Sequence, residues 1–116
     1  MVVVLRPTQA LRLWQGVSLS QVRRASPDLT MRQWAILLTI YLDPPPHTVR
    51  GLAARLDVTK PVITRALDTL GALKLVSRHR DEHDRRNVLV RRTVEGALFV
   101  ERFGDDIIAR AGELPL

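Results

Sequence analysis

The chain has 116 residues, of which 46% are hydrophobic and 26% are charged, and this is enough for one compact domain with a buried core. It contains no cysteine, which excludes disulfide cross-links, thiolate zinc sites and thiol redox chemistry within this sequence. No apolar run reaches the length of a membrane-spanning helix, and Met1–Leu5 lacks the basic start of a signal peptide, so we expect a soluble, cytoplasmic protein.

Residues 47–93 alone carry a charge equal to the whole net charge of +6. They hold eleven Lys and Arg against five Asp and Glu, whereas residues 94–116 hold two Arg against five acidic residues. A polyanion would be attracted to the middle segment and repelled by the C-terminal one. Genomic base composition can explain why Arg outnumbers Lys, but it does not explain this segregation of charge.

Two helices are predicted in the first third of the chain. The first spans residues 8–24, with Thr8 as its N-cap and an apolar stripe formed by Leu11, Trp14, Val17 and Val22. Ser26 or Asp28 is predicted to cap the second helix, at about 29–42, and consecutive prolines end it. This second helix is so widely apolar that we expect it to be the central strut of the core.

The residues after these prolines predict a helix-turn-helix. Thr48 caps a short helix whose inward positions are Val49, Leu52, Ala53 and Leu56. A tight turn at Asp57–Val58 leads to a second helix, about 60–73, which Thr59 or Lys60 caps. Its inward positions are Ile63, Ala66, Leu67, Leu70 and Leu73. Two short helices joined by such a turn are typical of helix-turn-helix proteins.

The outward face of the helix at 60–73 carries side chains that suit the reading of DNA base edges: Pro61, Val62, Thr64, Arg65, Asp68 and Thr69. Arg65 can donate two hydrogen bonds to guanine, Thr64 can bond a base or touch a methyl group, and Val62 can pack on a thymine methyl. An ordinary solvated helix face would show the same pattern, so this helix alone leaves both interpretations open.

A basic hairpin follows this helix and favours DNA binding. Residues 75–76 and 88–90 are strand-like, and the link from Asp81 to Asn87 is long enough to project as a loop. An arginine at such a tip can enter a narrow minor groove, and Asp81 and Asp84 are predicted to brace neighbouring arginines. The residues predicted to contact the DNA backbone or minor groove are Thr48, Lys60, Arg78, Arg80, Arg85 and Arg86.

Thr93 caps a last predicted helix, at about 94–111, that has two apolar sides. One side consists of Phe99, Val100, Phe103 and Ile107, and the other of Val94, Leu98 and Ile108. One side can face the domain and the other a second subunit, or the helix can simply wrap its own core. We interpret residues 1–116 as one winged-helix DNA-binding domain in which residues 1–26 and 94–116 are helical flanks available for dimerisation.

Other kinds of site have little support in the sequence. His79 and His83, together with Asp81 and Asp84, have metal-ligand spacing, but on a strand end and a loop this spacing does not bring side chains together. There is no glycine-rich phosphate loop, and no Ser/His/Asp set stands out. We therefore predict no metal, no cofactor and no enzymatic activity.

Residues from about Leu29 to Gly96 resemble the MarR-type winged-helix transcriptional regulators. The resemblance is carried by LTMRQWAILLTIYL and by TVRGLAARLDVTKPVITRALDTLGALKLVSRHRDEHDRRNVLVRRTVEG. Its specific part is the wing signature, in which Asp84-Arg85-Arg86 precedes Val88, Val90 and Thr93-Val94-Glu95-Gly96.

This resemblance implies a mainly α fold with a small β-hairpin wing (α+β), and a homodimer on a roughly palindromic operator in double-stranded DNA. Helix 60–73 would lie in the major groove with Arg65 reading bases, and the wing, residues 78–92, would place Arg86 in the flanking minor groove. The chain departs from the family at Arg92, where leucine is usual, at Pro61 and Val62, where small polar residues are common, and in its short C-terminal region.

The short C-terminal region leaves open the dimer geometry and any neighbouring pocket for a small-molecule effector, which no residue pattern supports. The alternative function is a winged-helix module that docks another protein in a transcription or regulatory complex.

Overall fold

The computed structural model of the protein describes residues 4–24 and 27–115. In chain order its elements are α1 (Pro7–Arg23), α2 (Met31–Leu42), β1 (His47–Thr48), α3 (Val49–Leu56), α4 (Lys60–Ala72), β2 (Val76–Arg80), β3 (Val88–Arg92) and α5 (Val94–Gly112). The predicted class, mainly α with a small β-hairpin, is confirmed. None of the described helices is both long enough and apolar enough to span a membrane.

The chain divides into two compact units. The central unit consists of residues 29–100, and the described residues within 1–28 and 101–116 form the terminal unit. Helix α5 begins in the central unit and continues into the terminal one.

Helix α2 forms the middle of the central unit's core, as predicted. Its N-cap is Thr30, whose hydroxyl accepts from the Gln33 amide at 3.1 Å, while the Gln33 side chain accepts from the Thr30 amide at 2.9 Å. The predicted cap at Asp28 is wrong because a reciprocal pair of this kind needs Gln or Glu three residues after the cap. Ser26, the other predicted cap, lies outside the described residues. The fully buried side chains of α2 are Ile36, Leu37 and Ile40.

Helices α3 and α4 form the predicted helix-turn-helix. The Thr48 hydroxyl accepts from the Gly51 amide at 2.9 Å and so caps α3, and Asp57 turns the chain with a left-handed φ of 55°. In α4 the buried inward residues are Ile63, Ala66, Leu67 and Leu70. Leu73 was also expected to point inward, but it is the C-cap residue of α4 and its side chain is 37% exposed.

The three strands form an antiparallel sheet in the order β1-β3-β2. Val76 lies opposite Arg92, and Arg78 lies opposite Val90, with Val76 and Val90 buried in the core. The two-residue strand β1 was not predicted, since a strand this short has no alternation to recognise.

A junction built on Tyr41 ties α2 to the base of the hairpin. The Tyr41 hydroxyl donates to the Leu75 carbonyl oxygen at 2.7 Å and accepts from the Thr93 amide at 2.9 Å. The Thr93 hydroxyl donates to the Lys74 carbonyl oxygen and accepts from the Gly96 amide at 2.9 Å, so it caps α5 as predicted. This junction fixes where the hairpin leaves the core.

Arg92 has a structural role that the sequence did not show. Its Nε donates to the Ile40 carbonyl oxygen at 2.8 Å and its Nη2 to the Asp43 carbonyl oxygen at 3.0 Å. Its guanidinium carbon also lies 5.8 Å from the centre of the Tyr41 ring. A cation at the C-terminal end of a helix meets the partial negative charge of unpaired carbonyls, so Arg92 stabilises the end of α2.

In the terminal unit, α1 begins one residue earlier than predicted. Pro7 occupies the first turn and Arg6 is the N-cap residue, with the Gln9 side chain accepting from the Arg6 amide at 2.9 Å. The predicted cap at Thr8 is wrong because the fixed φ of proline suits the first helical position. Within the predicted stripe of α1 only Val17 is buried, whereas the exposed members are Leu11, Trp14 and Val22.

Helix α5 has one covered and one exposed apolar side. Phe103 is buried, and the partly covered residues beside it are Phe99, Val100 and Ile107. The exposed apolar residues are Val94, Leu98 and Ile108. Further along the helix, Asp106 is buried and its Oδ1 accepts from the Ser20 hydroxyl at 2.9 Å, which joins α5 to α1 inside the terminal unit.

Candidate nucleic-acid interface

The outward face of α4 carries the predicted base-reading residues on one continuous surface. Because Ile63, Ala66, Leu67 and Leu70 are buried, the side chains on the opposite side of the helix face solvent. Those exposed are Lys60, Pro61, Thr64, Arg65, Asp68 and Thr69, while Val62 is partly buried at the edge of the surface. The structure therefore brings these residues together in the arrangement that the periodicity indicates.

Arg65 is a cation in the middle of this face that is available to a ligand. Its side chain forms no ion pair with any of the described residues, and the Thr69 hydroxyl lies 3.5 Å from its backbone carbonyl oxygen. A free guanidinium in the middle of an exposed helix face can present two parallel donors to an acceptor pair.

Asp68 and Arg78 form an ion pair between α4 and β2. Arg78 Nη2 lies 2.7 Å from Asp68 Oδ1, and the side chains are 35% and 61% exposed, respectively. From the sequence we predicted two separate DNA contacts, Asp68 with a base and Arg78 with the backbone or minor groove. In the structure the two side chains form one ion pair, because the hairpin packs against α4 and brings their charges together.

In the wing loop, Asp84 holds Arg86 in one orientation. Asp84 Oδ1 accepts from both Arg86 Nε and the Arg86 amide at 3.1 Å, and Oδ2 accepts from Arg86 Nη2 at 3.2 Å. The hydrogen bond from the Arg86 side chain lowers the pKa of the Asp84 carboxyl, with smaller contributions from the Arg86 amide and from the charge of Arg50. The Arg86 side chain remains 78% exposed and is therefore held but accessible.

Asp81 has a different partner from the predicted one. Its Oδ1 accepts from the His83 amide at 2.9 Å, so it shapes the loop backbone instead of orienting an arginine side chain. This is the short-range bond that aspartate commonly makes in turns, so of these two aspartates it is Asp84 that orients an arginine of the loop, Arg86.

An open groove of about 870 Å³ lies at the loop end of the hairpin, and its lining includes the cations Arg80, Arg85 and Arg91 together with His79, Asp81 and Glu82. Arg80 and Arg85 are exposed and form no ion pair within the described part of the chain. His79 Nε2 lies 2.9 Å from the Ser77 hydroxyl. Over residues 4–24 and 27–115, no group of three or more His, Asp or Glu side chains could hold a metal ion.

Comparison with known proteins identifies the family. A family model described as MarR family matches residues 28–87, more than half of the sequence. The chain belongs to the MarR family. The family and the winged-helix fold predicted from the sequence are thus confirmed, and the fold is that of DNA-binding transcriptional regulators.

Solved structures of other MarR-type regulators are similar over most of their length. The PcaV transcriptional regulator from Streptomyces coelicolor is 29% identical, with a TM-score of 0.67, and the match covers 94% of this chain and 79% of PcaV. A mutant of S. aureus MepR bound to an oligodeoxyribonucleotide is 26% identical, with a TM-score of 0.71, and the match covers 84% and 70% of the two chains. The S. aureus MepR–DNA complex is 23% identical, with a TM-score of 0.66, over 91% and 77% of the chains.

Two residues of α3 and its cap bear on the predicted DNA-binding surface of this MarR-family chain: Arg50, which was not predicted to belong to it, and Thr48, which was. Arg50 is exposed in the first turn of α3, and its charge makes the smallest of the contributions that lower the pKa of the Asp84 carboxyl, after the two hydrogen bonds from Arg86. The sequence shows Arg50 on the outer side of α3, but not its nearness to a loop more than thirty residues away. Thr48, by contrast, accepts from the Gly51 amide to cap α3, and this leaves its O–H free to donate to a phosphate oxygen.

Proposed function

We propose that this MarR-family chain regulates transcription by binding a specific sequence in double-stranded DNA, as a homodimer in the cytoplasm. Helix α4 enters the major groove, and the wing, residues 78–92, contacts the backbone and the adjacent minor groove. The observation that carries the proposal is that one central unit presents an exposed reading face on α4 followed directly by a wing loop whose arginine is held but accessible. MepR, a protein of similar fold, is bound to an oligodeoxyribonucleotide in one structure.

The face of α4 suits the direct reading of base edges. Arg65 has the geometry to donate to O6 and N7 of a guanine, and it has no internal acceptor to give up. Thr64 can accept or donate beside it, and Pro61 and Val62 can pack on thymine methyl groups at the N-terminal end of the helix.

The wing suits anchoring and the reading of groove shape. The two hydrogen bonds that Arg86 donates to Asp84 limit the conformations of the Arg86 side chain before DNA arrives, so less side-chain entropy is lost when the guanidinium enters a groove. A narrow minor groove has enhanced negative potential and attracts such a side chain without distinguishing bases directly. Arg80, Arg85 and Lys60 would add contacts to phosphates.

Exposed apolar side chains support a homodimer. Helix α1 exposes Leu11, Trp14 and Val22, and α5 exposes Ile108, in the terminal unit. Large apolar groups that cluster on the surface commonly mark a protein–protein interface. A two-fold dimer would present two copies of α4 and match a roughly palindromic operator. A small-molecule effector is not part of the proposal.

The test begins with a pool of duplexes of random sequence, from which the wild-type chain selects its best binders for affinity measurements by fluorescence anisotropy. Arg65→Ala should weaken binding to the selected duplex by roughly 5- to 150-fold and relax the preference at one base pair. Arg86→Ala should weaken selected and random duplexes alike and reduce the dependence of log K on log salt by about one.

Arg102→Ala is the matched control, because Arg102 is an exposed arginine on α5 outside the proposed surface and its removal changes the net charge equally. Selection of no sequence over random DNA would exclude specific recognition and favour the protein-docking module. An unchanged affinity and salt dependence for Arg86→Ala would exclude the wing as a DNA contact. A chain that sediments as a monomer at micromolar concentrations would contradict the homodimer.

A further inference from the structure

Asp68 places a negative charge on the surface that is proposed to face DNA. It lies on the exposed face of α4, three residues after Arg65, and its carboxylate stays 61% exposed. An unpaired carboxylate there would be repelled by the phosphates on both sides of the groove. Its Oδ1, however, lies 2.7 Å from Arg78 Nη2, so the charge is neutralised within the protein. The surface thus keeps an acceptor group at low electrostatic cost.

Arg78 is placed differently from the other cations of the hairpin. It lies directly opposite Val90 and two residues from Val76, both of which are buried, and residues in these positions share one face of a sheet. The Arg78 side chain therefore leaves the hairpin on the side toward the helices and ends at Asp68. It is 35% exposed, compared with 78% for Arg86. In this position the Arg78 side chain is better placed to hold Asp68 than to contact the DNA backbone.

The Asp68 carboxylate can bind only some of the DNA bases, because of its hydrogen-bonding chemistry. A carboxylate only accepts hydrogen bonds, and the donors in the major groove are the amino groups of cytosine and adenine. Next to the adenine amino group lies the N7 acceptor, which repels a carboxylate, whereas the cytosine amino group has no neighbouring acceptor on that edge. Guanine and thymine present acceptors at the equivalent place and are disfavoured.

We propose that Asp68 is a specificity-determining residue that selects cytosine, and that Arg78 is its positioning residue and not a phosphate contact. The inference rests on the proposed function, and it reassigns Arg78 from the DNA backbone to the support of a base-reading side chain. Arg78 both holds the Asp68 carboxylate on the face of α4 and cancels its charge in the field of the phosphates.

A double-mutant cycle on the duplex selected by the wild-type chain, and on all its single base-pair substitutions, tests this assignment. Asp68→Asn should shift the preference at one base pair from C·G toward A·T, because an amide side chain matches the acceptor and donor of adenine. Arg78→Met should weaken the wild-type complex at least tenfold and lose discrimination at the same base pair. In the Asp68→Asn background, Arg78→Met should change affinity less than about twofold and leave the salt dependence unaltered.

Arg80→Met is the matched control, since Arg80 is an exposed arginine two residues along the same strand with no ion pair among the described residues. It should weaken all duplexes evenly and reduce the salt dependence by about one in both backgrounds. If the ion pair is purely structural, its loss should lower stability without changing the base preference. Asp68→Asn keeps the size of the side chain, so it distinguishes a structural role from a specificity role even if Arg78→Met folds poorly.

Equal losses from Arg78→Met in both backgrounds, with a reduced salt dependence, would make Arg78 a phosphate contact and overturn the inference. Unchanged base preference in Asp68→Asn would overturn it as well. Both results leave the proposed function intact. Failure of the wild-type chain to select any sequence is a different result, seen before any variant is made, and it would remove the proposed function and this inference together.

Discussion

Replacing Gly96 with alanine should disrupt the junction that joins α2, the hairpin and α5. A Cβ atom at this position would overlap both the Tyr41 hydroxyl and the Leu75 carbonyl oxygen, and it would lie 2.7 Å from Tyr41 Cζ. The Leu75 oxygen belongs to the backbone, and the Tyr41 hydroxyl is bonded to Leu75 and to Thr93. Neither group can retreat without breaking those hydrogen bonds.

The size of the effect follows from what must break. Movement of Tyr41 forfeits hydrogen bonds of 2.7 and 2.9 Å, and each such bond contributes about 0.5–1.5 kcal/mol to stability. The Leu75 carbonyl and the Thr93 amide would then lack their partner, at a cost of about 1–3 kcal/mol for each group that stays buried. These penalties replace the bond energies and do not add to them, so we expect Gly96→Ala to lower the free energy of unfolding by roughly 2–6 kcal/mol. This is a large part of the total of about 5–15 kcal/mol for a domain of this kind.

Urea denaturation followed by far-ultraviolet circular dichroism, at one fixed protein concentration, measures this loss. Gly104→Ala is the control on the same helix, because a Cβ there meets no atom within 4 Å. It should stabilise the protein by about 0.5–1 kcal/mol through helix propensity. A loss of less than about 1 kcal/mol for Gly96→Ala would refute the steric argument, because a true overlap with backbone cannot be relieved so cheaply.

Two further predictions concern charged groups. Arg92→Met should lower the free energy of unfolding by about 1–3 kcal/mol, because two carbonyl groups at the end of α2 lose a charged donor. In the same denaturation assay the control Arg91→Met, on the exposed outer face, should change the free energy of unfolding by less than about 0.5 kcal/mol. Equal effects of the two substitutions would exclude the capping role of Arg92. The pKa of Asp84, measured by NMR titration of its carboxyl carbon, should lie below 3.8 and should rise in Arg86→Met. The stabilisation of the loop by the Asp84–Arg86 bond is therefore present above pH 3.8 and is lost as the pH falls through the lowered pKa. A midpoint at or above 3.8 in the wild type would contradict the bond.

Much of the central unit could be predicted because its signals are local. The inward spacing along α3 and α4 marked the buried residues, and the caps at Thr48 and Thr93 were recognised from the residues beside them. The apolar residues of α1 were less informative, since a stripe at helical spacing looks the same whether it packs inside the chain or stays exposed. Burial there depends on which other surface is present, and periodicity does not contain that information.

The candidate site was predictable in position but not in its internal bonding. The face of α4 and the loop of the wing followed from helical periodicity and from the order of charged residues. Bonds within a few residues, such as Asp84 to Arg86, were also within reach of the sequence, because a short loop brings its own members together. The partner of Asp81 was mistaken because its carboxylate accepts from the backbone amide two residues on, a bond that aspartate commonly makes in turns and that was not weighed against an arginine partner.

The sequence by itself determined the helix-turn-helix, the wing and the segregation of positive charge onto them, since these depend on hydrogen bonds and side-chain periods that span only a few residues. Only the tertiary structure decided which charges remain free for a ligand. Arg92 donates to carbonyl groups at the end of α2 and Arg78 pairs with Asp68. Arg65 has no ion-pair partner among the described residues, and Arg86, although bonded to Asp84, remains 78% exposed. The physical reason is that an ion pair forms only within about 4 Å, and packing sets the distances between residues far apart in the chain.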